Sequence, residues 1–167
     1  MPIRDALLPE YDQEMANTRK VLERVPEDKF GWKPHPKSWT ARELATHVAT
    51  IPAWAVETMN RTELDYAPVG GEPYQMPKPE NKKELLEIFD KGVADGRKAI
   101  AAADDNAFMT PWTLLAGGKP VLTLPRAVCI RSFVMNHMIH HRAQLGVYLR
   151  LNDVPVPPIY GPTADEQ

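Results

Sequence analysis

Apolar residues recur at spacings of three and four along four stretches of the chain, and prolines crowd the segments between them. The first stretch, roughly Arg4 to Arg24, carries Leu8, Tyr11, Met15, Thr18, Leu22 and Val25 as one apolar stripe, which predicts an amphipathic helix. Pro9 is compatible only with a helix start, so the regular part is expected to begin there. The second, Ala41 to Asn60, presents Leu44, His47, Val48, Ile51, Trp54 and Ala55 on one face. Thr40 and Glu43 match a capping box at its start, and Pro52 predicts a kink inside it. The third, Lys82 to Ala103, follows Asn81 and Glu84 in a similar capping pattern and buries Leu85, Ile88, Phe89, Gly92, Ala99 and Ile100. The fourth begins near Thr123 to Pro125, with Thr123 as the expected N-cap and proline in the first turn, and runs to about Leu151.

Three proline-rich connections separate or follow these helices: "VPEDKFGWKPHPKSW", "APVGGEPYQMPKPEN" and the tail "VPVPPIYGPT". Between the third and fourth helices lies "DDNAFMTPWTLLAGGKPVLT", where Gly117 and Gly118 leave room for a short hairpin. No stretch alternates with period two for long enough to announce a sheet, and no internal repeat or low-complexity tract appears. The expectation is therefore an all-α four-helix bundle with long proline-rich connections, one domain over residues 1–167.

Composition narrows the function. Hydrophobic residues make up 43% and charged residues 25%, ordinary values for a globular protein. The net charge of −2, with lysines and arginines scattered, gives no basic patch for nucleic acid. The single cysteine, Cys129, excludes an intramolecular disulfide and any CxxC site. No signal-like N-terminus and no apolar run of about 18 residues is present, so a cytoplasmic location without membrane contact is expected.

The chemistry concentrates in "NHMIHHRAQLGVYLR", Asn136 to Arg150, which holds three of the five histidines. Residues four apart on a helix return to within ~40° of one another. His137 and His141 then share the side of Ile130, Phe133, Val134, Leu145 and Tyr148, while Arg131, Ser132, Asn136, Arg142 and Arg150 lie away from it. His140 falls at the edge. An i, i+4 pair of core-facing imidazoles can bind one ion. His47 occupies a core-facing position on another helix, and a bundle interior is where such side chains converge. Three neutral nitrogen donors leave one coordination position free, the arrangement of a catalytic zinc site. Two of these rings could instead be ordinary core histidines bonded to carbonyls. His35, in "KPHPK", reads as a loop residue.

No general base is assigned. Glu43 is read as the cap of Thr40 rather than a partner of His47. Gln144 and Tyr148 lie near the ligand face, Arg142 is expected at the bundle edge, and Cys129 as a small buried filler. Trp32, Trp39, Trp54 and Trp112 are expected to pack core or loops.

Two motifs and the chain ending resemble the DinB-like superfamily, the damage-inducible proteins related to bacillithiol transferases and to mycothiol-dependent maleylpyruvate isomerase. They are "WTARELATH" from Trp39 to His47, "NHMIHHRAQL" from Asn136 to Leu145, and "VPPIYGPT" from Val156 to Thr163. The resemblance spans essentially the whole chain. It implies a four-helix bundle, commonly a homodimer, with a divalent metal on His47, His137 and His141. Zinc or nickel, with iron as a further candidate, suits imidazole donors. By analogy the expected activity is a metal-dependent thiol S-transferase or hydrolase acting on a small thiol or electrophile. The alternatives are a non-enzymatic metal-binding stress-response protein, in which the ion staples the helices, and an inert helical module.

Overall fold

The computed structural model describes residues 1–166. Helix α1 spans Ile3–Glu23, α2 Ala41–Thr50, α3 Trp54–Asn60, α4 Lys82–Ala102, α5 Asp105–Met109, α6 Arg126–Cys129 and α7 His137–Leu151. Strands β1 Glu63–Asp65, β2 Pro111–Ala116 and β3 Lys119–Pro125 complete the elements. Helix α1 packs on α4 and α7, and α2 packs on the same two helices. Between them lies the larger core, with Tyr11, Leu22, Ile51, Leu85, Phe89 and Leu145 fully buried. Apolar burial of this kind supplies about 25 cal/mol per Å².

Local signals explain most helix boundaries. Thr40 accepts from the Glu43 N–H at 3.2 Å while the Glu43 carboxylate accepts from the Thr40 N–H at 2.8 Å, completing the expected capping box. Asn81 caps α4 through the Glu84 N–H. Pro52 lies in a 3-10 turn, Ile51–Ala53, that divides the second expected helix into α2 and α3. There α4 comes so close that a Cβ on Gly96 would stand 2.6 Å from both the Pro52 carbonyl oxygen and the Tyr11 hydroxyl.

Several expectations are corrected. Helix α1 does not wait for Pro9; it starts at Ile3, whose N–H donates to Asp105 in α5 at 2.8 Å. Pro9 is exposed, so the carbonyl it fails to bond can face water. The protein is not all-α. A three-stranded sheet, ordered β1-β2-β3, pairs β1 parallel and β3 antiparallel to β2. Gly117 and Gly118, with φ of 59° and 73°, form the hairpin turn, a left-handed conformation glycine adopts without steric cost. The strands are too short for alternation to stand out, although Trp112 and Leu114 do point inward together. Thr123 is therefore not a helix cap. It lies in β3, its hydroxyl 3.0 Å from that of Thr113, and the helix starts at Arg126. Among the described residues no helix is long and apolar enough to cross a membrane.

Candidate metal centre

Immediately before α7 the backbone winds as a π-helix from Ile130 to Asn136. This wider turn changes the phase of everything that follows, a distortion common beside functional sites. From it emerge His137 and, one turn later, His141. Across the interface α2 delivers His47. The Nε2 atoms of His47 and His137 are 3.2 Å apart, and one ring nitrogen from each of His47, His137 and His141 lies within 4.8 Å of the others. Nitrogens at ~2.0–2.1 Å from one tetrahedral ion stand about 3.3 Å apart, so the donor set fits a divalent cation.

Two of the three rings, His141 and His137, meet protein on their outward side. Gln144 accepts from His141 Nδ1 at 2.8 Å and donates to His140 Nε2 at 3.1 Å. That fixes the proton of His141 on Nδ1 and leaves Nε2 bare. The Phe133 backbone lies close enough to the His137 ring to favour its protonated form. Partners of this kind orient metal-binding imidazoles. Burial, then the nearby His141 and His137 rings, push the His47 pKa down from 6.5 to about 4. Burial first, and the neighbouring imidazoles second, also hold His137 below its usual range; burial does the same to His141, opposed by its bond to Gln144. All three are neutral at pH 7 and ready to donate lone pairs.

A pH dependence follows. Each folded-state pKa lies below the unfolded one, so the unfolded chain binds more protons as the pH falls below 6.5. Stability present above pH 6.5 is therefore lost on descent toward about 4. Thermal melts of metal-free protein should show a steeper loss over that interval for the wild type than for His47→Asn. Equal slopes would contradict this account.

The remaining expected residues separate cleanly. His140 and His35 are exposed, and His35 Nδ1 merely accepts from the Lys37 N–H at 3.1 Å. Glu43 is a cap; the Thr40 N–H and hydroxyl hold its carboxyl below the usual range. Cys129 is buried, and burial pushes its thiol up, away from the reactive thiolate. Tyr148 donates to the Trp39 carbonyl at 3.1 Å and meets the edge of Trp32, pinning the proline-rich loop onto α7.

Arg142 is a correction. It does not lie at the edge; its side chain is only 4% exposed and pairs with buried Glu14 of α1 at 2.7 Å. It also donates to the Glu14 carbonyl and the Thr18 hydroxyl, at 3.2 and 3.1 Å. The Tyr160 hydroxyl sits 2.8 Å from Arg142 and from both Glu14 oxygens. Helix α7 is thus buried on two sides, against α2 through its histidines and against α1 through Arg142.

Two tryptophans matter more than core filling suggests. Trp39 lies 5.0 Å from the His47 ring and stacks on His141 at 5.9 Å. Trp54 stacks on Phe133 and stands 5.3 Å from His137. The spacings were available: Trp54 follows His47 by two helical turns, and Phe133 precedes His137 by one. Beside His47 opens a cavity of about 1040 Å³, bounded by Trp54, Phe133, α4 and the 66–77 loop. A smaller hollow of about 470 Å³ lies across Trp39, against His141 and Gln144.

Comparison with known proteins decides the family. The sequence profile of the DinB family matches residues 4–167. The chain belongs to the DinB family. This DinB protein is 25% identical over 165 residues to the uncharacterised protein YrdA of Bacillus subtilis (strain 168), covering 97% of this chain and 90% of YrdA. Its fold is similar to that of a DinB-like protein of Bacillus cereus ATCC 10987, with a TM-score of 0.71 at 22% identity over 93% of this chain and 97% of that one. A second DinB-like structure, YjoA of Bacillus subtilis, has a TM-score of 0.69 at 15% identity, covering 93% and 98%. At such identities the two structures speak to fold alone.

Proposed function

We propose that this DinB protein is a divalent-metal-dependent enzyme of the thiol S-transferase or hydrolase type, with His47, His137 and His141 as ligands. One observation carries the reading: three lowered-pKa imidazoles from two helices converge within 4.8 Å, two of them, His141 and His137, with outer contacts supplied by protein. A bound ion with one free position lowers the pKa of coordinated water or thiol. The chain's own contributions are orientation of His141 by Gln144, exclusion of water by Trp39 and Trp54, and a cavity for substrate beside His47. That cavity favours an enzyme over a metal-stapled stress protein, because a purely structural site needs no adjoining space. Zinc and nickel suit the donors best, with iron next. The helices α1, α2–α3, α4 and α7 are read as the DinB four-helix bundle, working as a cytoplasmic homodimer.

The test is metal analysis of untagged protein followed by turnover. We expect about one ion per chain, since three donors define one site. Conjugation of cellular thiols to monochlorobimane, or ester hydrolysis, should proceed only with the ion present. A metal content that stays near zero after incubation with zinc or nickel overturns the reading. Activity that survives chelation overturns the mechanism.

A further inference from the structure

The cavity beside His47 has a chemical character of its own. Its floor is a continuous aromatic surface: Trp54 and Phe133 stack at 4.9 Å with an interplanar angle of 25°, and both rings border His137. Ile88 of α4, Leu64 of β1 and Leu114 of β2 close the sides. At about 1040 Å³ it stands at the upper end of the ~300–1,000 Å³ found for small-molecule sites.

All but one of the charged groups around it are already paired. Glu57 and Arg61 form an ion pair at 2.8 Å, and Lys91 and Asp95 another at 2.5 Å. Asp65 accepts from the backbone N–H groups of Ala67, Gly117 and Gly118. Only Glu72, exposed on the covering loop, lacks a partner among the cavity's charged residues. An anionic ligand would have to draw Arg61 or Lys91 away from its partner, and a cationic one would find the interior carboxylate, Glu57, already neutralised by Arg61, although its buried Oε2 makes no hydrogen bond.

We infer that this cavity binds a neutral molecule with a flat, apolar, extended body, stacked along Trp54 and Phe133 with one end turned toward the three histidines. Recognition of the body needs no ion. Only the role of the end facing the histidines rests on the metal reading proposed above. Planar rings on aromatic faces gain stacking beyond simple burial.

Two fluorescent probes that differ by one group test this on metal-free, full-length protein. N-phenyl-naphthylamine is neutral and aromatic; anilinonaphthalene sulfonate has the same body with an added anion. The neutral probe should bind with one equivalent, quench tryptophan emission, and bind about tenfold more tightly than the sulfonate, whose charge must be desolvated. Ile88→Asp should weaken it by a similar factor with the far-UV circular dichroism unchanged. Leu64→Trp, which fills the space without adding charge, should do the same should the aspartate variant not fold. Tighter binding of the sulfonate, several equivalents of the neutral probe, or affinity unchanged in both variants would overturn the inference. Probe binding without metal uptake sinks the metal reading alone, and metal uptake without probe binding sinks this one alone.

Discussion

Replacing His137 with alanine should reduce bound metal from about one ion per chain to less than about a tenth, while the far-UV circular dichroism keeps its helical form. The direction follows from geometry. His137 Nε2 lies 3.2 Å from His47 Nε2, so its loss leaves two donors where three had converged. Loss of an outer partner alone typically costs about 10–100-fold in metal affinity, and loss of a ligand costs more. A graded series sharpens the test. Gln144→Leu, which frees the His141 ring, should lie in the 10–100-fold range. His140→Ala and His35→Ala should leave the metal content unchanged, because both rings are exposed and outside the cluster. The fold should tolerate the His137 change, since a half-buried ring whose protonated form is disfavoured contributes little to the core. Full metal content in His137→Ala would show that the ligands are elsewhere.

Arg142→Met should destabilise the protein by about 3–5 kcal/mol, because it strands the Glu14 carboxylate in a buried site. For a chain of this length that corresponds to a fall in Tm of roughly 10 °C, taking ~2–4 °C per kcal/mol. The partners that remain, the Tyr160 hydroxyl and no cation, cannot offset the lost charge. The double variant Arg142→Met with Glu14→Gln should recover part of the loss, since it removes both charges. Arg97→Met makes the control. Its partner Asp12 is about as exposed as a surface pair can be useful, with side chains 49% and 44% accessible, and such pairs contribute about 0–1 kcal/mol. If Arg142→Met and Arg97→Met melt within a degree or two of each other, the buried pair is not what seats α7. The seating also matters for the site, because α7 carries two of the three imidazoles and Arg142 adjoins His141 in sequence.

Arg142 and His141 illustrate how differently neighbouring residues can be read from sequence. His141 follows His137 by one turn, and its direction is a local property of any helix. The burial of Arg142 depends on Glu14, 128 residues away, and on Tyr160 in the tail. Helical periodicity identifies one apolar face, and α7 has two buried faces, one of them polar. The tyrosine lies in the "VPPIYGPT" ending, so its motif was visible while its partner was not.

What the linear order of residues settled was local: the capped starts of α2 and α4, the apolar stripes of α1 and α4, the proline break at Ile51–Ala53, and the shared side of His137 and His141. Each depends on contacts within about one helical turn, which spacing records directly. The meeting of His47 with the α7 pair was already expected from its core-facing position and the DinB resemblance. What required the three-dimensional arrangement was how closely those rings approach, the burial of Arg142 against Glu14, the sheet that joins β1 to a distant hairpin, and the aromatic cavity. Those depend on which surfaces face one another after collapse, and that is decided by the packing of whole helices rather than by the pattern along any one of them.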